Sequence, residues 1–175
     1  MALKRGIVEL ENYNEKWKKE YEKERDLLKS VLGDKIIEIE HVGSTSIVGL
    51  KAKPVIDILI AINSLDEIEE IEQLLIEYDY SNRGHQGVED RYFFAKGPED
   101  ARSHYIHFVE KDNNTYINLL WFKRHLLKHP EYIEKYCELK QELASQYSED
   151  RKKYTAGKSN FITEVISLAK KEFND

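Results

Sequence analysis

Long apolar runs are missing from this chain, and so are most of the residues that would cross-link it. A single cysteine, Cys137, leaves no intramolecular disulfide to form. It reads as a helix-surface or core residue rather than as a nucleophile. Proline is scarce, with three in 175 residues, and there is no internal repeat, low-complexity tract or flexible linker. No apolar run approaches the roughly 20 residues that a bilayer-spanning helix needs. The opening MALKRGIVELENYNEKW has no apolar core of the signal-peptide kind. The expectation is a soluble cytoplasmic protein with no membrane partner. Excess positive charge is missing too, because 27 Lys and Arg stand against 33 Asp and Glu for a formal charge of −6. That balance argues against a nonspecific nucleic-acid binder, whose affinity rests on neutralising phosphates. It leaves room for a local basic cleft.

What is present suits one compact α+β domain over 1–175, with a sheet core to about 112 and a helical lobe from about 113. Apolar residues make up 41% of the chain and charged residues 34%. Trp17, Tyr21, Leu27, Leu28 and Val31 give a helix over 13–32 its apolar face, and Gly33 can end it. KIIEIEHV alternates, with Ile37, Ile39 and His41 on one side and Glu38 and Glu40 on the other. Residues 55–62 read as a strand buried on both faces. Ser64 to Glu67 form a capping box for a helix carrying Leu65, Ile68, Ile71, Leu75 and Tyr78 inward, and the chain then returns to another strand as a crossover unit. Polar residues 81–90 read as a loop, and 91–96 with 103–110 as a hairpin. Helical patterns follow over 117–129, over 130 to about 147, and from near Glu149 onward. The sheet should be mixed, with four or five strands.

The stretch HVGSTSIVGLKAKPVIDILI, from His41 to Ile60, carries the chemistry. A glycine turn followed by hydroxyls brings backbone N–H groups, Ser44 and Thr45 close to an anion, because Gly43 has no Cβ to hold it away. Asp57 is an acid inside an apolar strand, costly to bury unless a cation pairs with it. Together they suggest a phosphate and metal site. The plainer reading, a turn between strands with its acid hydrogen-bonded to a loop, also fits. His41 reads either as a core histidine with a hydrogen-bond partner or as a residue fixing this turn.

That run closely resembles the signature of the GrpB-like family, grouped with the polymerase-beta type nucleotidyltransferases. The resemblance extends to HYIHFVE, INLLWFKRHLLKHPE and KYTAGKSNFI, so it spans nearly the whole chain. It implies a nucleotidyltransferase-like fold in which Gly43 and Ser44 hold phosphates and Asp57 holds a divalent metal: magnesium, manganese or zinc. The superfamily's second acid should stand at position 59, where this chain has Leu59. Strand side chains alternate, so Leu59 shares the face of Asp57 and puts a two-metal mechanism in question.

The resemblance also points to His107 as a partner for Asp57 in catalysis or metal binding, with His41 or Glu110 as a third contact. A direct His107–Asp57 hydrogen bond without metal fits the residues equally. Tyr154 and Lys158 match the family's YT-x-x-K pattern, which makes Lys158 a candidate phosphate partner; Arg91 is another. Each could also be ordinary surface charge. The function implied is binding of a nucleoside triphosphate, with nucleotidyl transfer to a small acceptor. The alternatives are a non-catalytic nucleotide- or phosphometabolite-binding module and an interaction scaffold. Some relatives resemble a domain fused to dephospho-coenzyme A kinase, which implies a setting in coenzyme A or nucleotide metabolism.

Overall fold

The computed structural model describes residues 6–174; the first five residues of the expected extended opening, and the outer ends of the 1–175 domain, lie outside them. In chain order the elements are α1 (Glu15–Leu32), β1 (Glu38–Val42), β2 (Ile56–Ile62), α2 (Ile68–Leu75), β3 (Tyr80–Asn82), β4 (Arg91–Lys96) and β5 (His104–Glu110). Four helices follow: α3 (Asn114–Lys128), α4 (Pro130–Gln146), α5 (Arg151–Gly157) and α6 (Ser159–Phe173). Local chemistry sets several boundaries. Asn14 Oδ1 accepts from the Lys16 N–H at 2.9 Å to cap α1, and Asn113 Oδ1 accepts from the Tyr116 N–H at 2.8 Å to cap α3. Pro130 opens α4, where its missing N–H costs nothing. No helix among the described residues is long and apolar enough to cross a membrane.

The five strands form one sheet in the order β1-β2-β5-β4-β3. Only β2 and β5 run parallel; the other pairs are antiparallel. Helix α2 carries the chain from β2 to the far edge, and the run β3, β4, β5 brings it back beside β2. Strand β2 is therefore interior, flanked by β1 and β5.

Alternation along β2 divides the sheet into two faces. Ile56, Ile58, Ile60 and Ile62, all buried, pack with Ile106 and Phe108 against α1 and α2. Asp57, Leu59 and Ala61 point the other way, where Leu59 and Ala61 join Val42, Val109 and Tyr116 of α3 in a second cluster.

Three sequence expectations change. Residues 80–82 form an edge strand paired with β4, so the loop starts after Asn82 rather than at Ser81. The last helix is two helices: α5 stops at Gly157, where a Cβ would collide with Leu143, and α6 starts at Ser159. Tyr78 sits in a short 3-10 turn after α2 and is 36% exposed rather than inward.

Candidate functional site

The turn after β1 is shaped by glycine. Gly43 has φ 71° and ψ −174°, a conformation that side-chain-bearing residues resist. A Cβ there would lie 2.7 Å from Asp57 Oδ2. Val42 pairs with Asp57 across the β1–β2 ladder, which sets the acid against the turn. Ser44 to Ser46 then form one 3-10 turn, closed by the Ser46 N–H (3.1 Å) and hydroxyl (2.6 Å) donating to Gly43 O.

His41 and Thr45 lie on the opposite face. His41 pairs with Ile58, so it faces α1, whereas Asp57 faces α3. Its Nε2 is 2.9 Å from Thr45 Oγ1, and its ring stacks on Tyr21 with centroids 4.7 Å apart. Burial, reinforced by the Lys123 ammonium, holds its pKa down to about 4. The expected metal contact through His41 is thus not formed. His41 is a core histidine whose hydrogen bond fixes the turn, joining both sequence readings. Thr45 is 2% exposed with its hydroxyl used by His41, so the expected phosphate contact through Thr45 is not formed either.

His107 and Asp57 do come together, with Nε2 and Oδ1 3.1 Å apart. Arg91 Nη1 lies 3.3 Å from His107 Nδ1, and a guanidinium only donates. Nδ1 is therefore the acceptor, and Nε2 carries the proton it donates to Asp57. Arg91 is held in turn by His85 O at 3.1 Å and Gln86 O at 3.3 Å, and burial lowers its pKa. Glu110 is not a third contact. It stands at the other end of β5, where Oε1 accepts from the Leu65 N–H at 3.1 Å.

Across from the sheet, the helical lobe supplies cations. Lys140, 2% exposed, donates to Ser44 Oγ and, at 2.9 Å, to Lys51 O. Lys158 and Lys53 both lie over the Tyr154 ring, at 4.7 and 5.4 Å from its centre. Burial holds Lys158 down to about 8, against the pull of Asp57. Burial, then Lys158 and Arg151, push Lys53 down to about 7. Burial, then Lys158 and Lys53, put Lys140 well below the usual lysine range. Among the described residues, Asp57 is the only carboxylate acting on any of the three. Sequence reasoning found Lys158 but missed Lys53 and Lys140. The available signal was Lys140 itself, a cation four residues after Tyr136 on the inward stripe of its helix.

Of these cations Lys158 borders a cleft of about 240 Å³, lined also by Gly43, Ser44, Asp57, His107 and Phe122 among others, while Lys140 reaches its wall through Ser44. A metal centre of the kind the resemblance implies does not fit its donor set. Leu59 is 1% exposed and built into the core, and Asp57 has His107 as its side-chain partner, with no second carboxylate beside it among the described residues. His107 already donates from the nitrogen that would ligate. Among the described residues, no group of three metal-binding side chains forms here.

A mixed five-stranded sheet with helices packed on it, and a Gly-Ser turn set against an acid on the adjoining strand, define an α+β protein with a cleft at that turn. Residues 7–168 match the GrpB protein family, and the chain belongs to it. It is 35% identical over 164 residues to the UPF0157 protein YqkA of Bacillus subtilis, covering 94% of this chain and 48% of that protein. It is 30% identical over 171 residues to the glutamate-rich protein GrpB of Alkalihalophilus pseudofirmus, covering 95% of this chain and 98% of that protein. The chain thus spans about half the length of YqkA. Among solved structures, that of conserved protein GrpB from Enterococcus faecalis is similar, with a TM-score of 0.89 and 28% identity over 95% of this chain and 100% of that chain.

Proposed function

We propose that the cleft binds a phosphorylated small molecule through its phosphate, held between Ser44, the Gly43 turn and Lys158, with the buried Lys140 anchoring Ser44 from behind. One observation carries this reading: Lys140 meets Ser44 of the turn, Lys158 lines the cleft and Lys53 acts on Lys140 beside them, with Asp57 the one carboxylate among the described residues that acts on all three. Buried cations without counter-ions are costly, and an anionic ligand would relieve that cost. The volume favours a phosphate-bearing head group over a wholly enclosed nucleoside triphosphate, since drug-sized ligands occupy about 300–1,000 Å³.

A second reading is nucleotidyl transfer from a nucleoside triphosphate to a small acceptor. It is favoured by the Arg91–His107–Asp57 chain, which orients a carboxylate beside the phosphate turn. Measured pyrophosphate release across a panel of acceptors would support it over simple binding.

The test of the first reading is thermal stability in EDTA with inorganic phosphate, pyrophosphate or a nucleoside triphosphate. A ligand that binds only the folded state raises the melting temperature by mass action. Stabilisation of the wild-type chain, lost in Lys158→Met and reduced in Ser44→Ala, is expected. Absence of a shift with every ligand would overturn it.

A further inference from the structure

The helical lobe carries a second cluster that the cleft does not use. His125 and His129 are one helical turn apart at the end of α3, so their side chains share a face. Glu172, in the last turn of α6, reaches between them. His125 Nδ1 lies 3.1 Å from Glu172 Oε2, and His129 Nε2 lies 3.0 Å from the same oxygen. The two imidazole rings are 4.4 Å apart, and the three ligand atoms all lie within 4.8 Å of one another.

We propose that His125, His129 and Glu172 form a binding site for a divalent transition metal, zinc by preference, that clamps α3 to α6. The donors are two imidazoles and one carboxylate, a set typical of zinc with one position left for water. Bonds of about 2.0–2.2 Å at tetrahedral angles separate ligand atoms by about 3.4 Å. The nitrogen-to-oxygen spacings are already near that value, so a small closing of the two rings suffices. His125 is 4% exposed, and its other ring nitrogen is buried without a partner among the described residues. All of that ring's hydrogen bonding is therefore directed at the cluster. On the far side of His129, Nδ1 lies 3.7 Å from Glu131 Oε1, longer than a hydrogen bond and close enough for the carboxylate to draw in as the ring turns.

Without metal, the charge of Glu172 is met by Lys128 and His129, and the Lys128 ammonium, followed by His129, holds its pKa down to about 2. Lys128 has a 59% exposed side chain and competes with a metal for the same carboxylate. A metal takes a bare imidazole nitrogen, so the proton that each ring turns toward Glu172 must move to the other ring nitrogen or leave as the metal enters.

The site is separate from the cleft but connected to it through the same two helices. Asn118, Leu119 and Phe122 of α3 and Ile162 and Ile166 of α6 line the cleft, while the C-terminal ends of both helices meet at the metal cluster. Lys158 and Glu172 are about 21 Å apart along the helix at 1.5 Å per residue. A bound ion would brace one wall of the cleft from its far end.

The test is calorimetric titration of the metal-stripped full chain with zinc chloride. One equivalent should bind, with at least tenfold weaker affinity in His129→Ala and in Glu172→Gln, each shown to be folded by circular dichroism. Lys128→Met should bind severalfold more tightly, a gain that a damaged fold cannot produce. Asp57→Ala should bind as the wild type does. Cobalt in place of zinc should show the visible absorption of a tetrahedral site. Failure of the wild-type chain to bind zinc saturably would overturn the proposal. So would undiminished binding in the folded His129 and Glu172 variants, or loss confined to Asp57→Ala.

Discussion

The two faces of β2 differ by one residue in register and by almost everything else in chemistry. On the α1 and α2 side, Ile56, Ile58, Ile60 and Ile62 make a dry core with no ionisable group along the strand. On the α3 side, Asp57 comes one residue after Ile56, meets His107, which Arg91 holds in turn, and shares the cleft with Lys158. The first face holds the sheet together. The second gathers cations that repel one another and have little counter-charge, which suits a ligand more than a fold.

The largest expected effect falls on the isoleucine face. Ile60→Ala removes a side chain that is 0% exposed and should cost about 2–5 kcal/mol by urea denaturation. If the faces are as separate as proposed, the folded protein should still bind phosphate with wild-type affinity.

Acid should expose the next effect, at His41. The fold holds its pKa at about 4 against an ordinary 6.5, so the neutral form is the one the fold favours. Stability from this group is present above pH 6.5 and is lost as pH falls from 6.5 toward about 4, by roughly 3 kcal/mol in all. Denaturation at pH 7 and pH 4.5 should show that slope, flattened in His41→Gln.

The cleft face should respond in the opposite sense. Lys158→Met should weaken pyrophosphate binding at least tenfold, about 1.4 kcal/mol. Its melting temperature should stay level or rise, because an ammonium that burial holds down to about 8 no longer has to be kept out of water. A variant that lost stability and binding together would break the comparison.

Much of this arrangement was legible in the sequence, because it depends on near neighbours. The Gly43-Ser44 turn, the apolar run of β2 and the shared face of Asp57 and Leu59 follow from spacing and period-2 alternation. The structure adds the reason Leu59 stands where an acid was expected: it packs with Val42, Ala61 and Val109 in the core beneath α3. What the sequence could not show depends on register or distant contacts. His41 read correctly as lying on the apolar side of its strand, but only its pairing with Ile58 shows that side to be opposite Asp57. Lys140 meets Ser44 across 96 residues, a distance no local pattern spans. Strand β3 is three residues long at an exposed edge, too short for its alternation to stand out from the polar stretch after it.

The most direct test is Asp57→Asn, titrated in EDTA with pyrophosphate beside the wild-type chain. Asparagine keeps the size of the side chain and an oxygen to accept from His107, but removes the one carboxylate among the described residues that acts on the lysines. An anion site should then bind pyrophosphate severalfold more tightly. Weakened or abolished binding in the folded variant would contradict the account and return Asp57 to the role of a group the ligand needs.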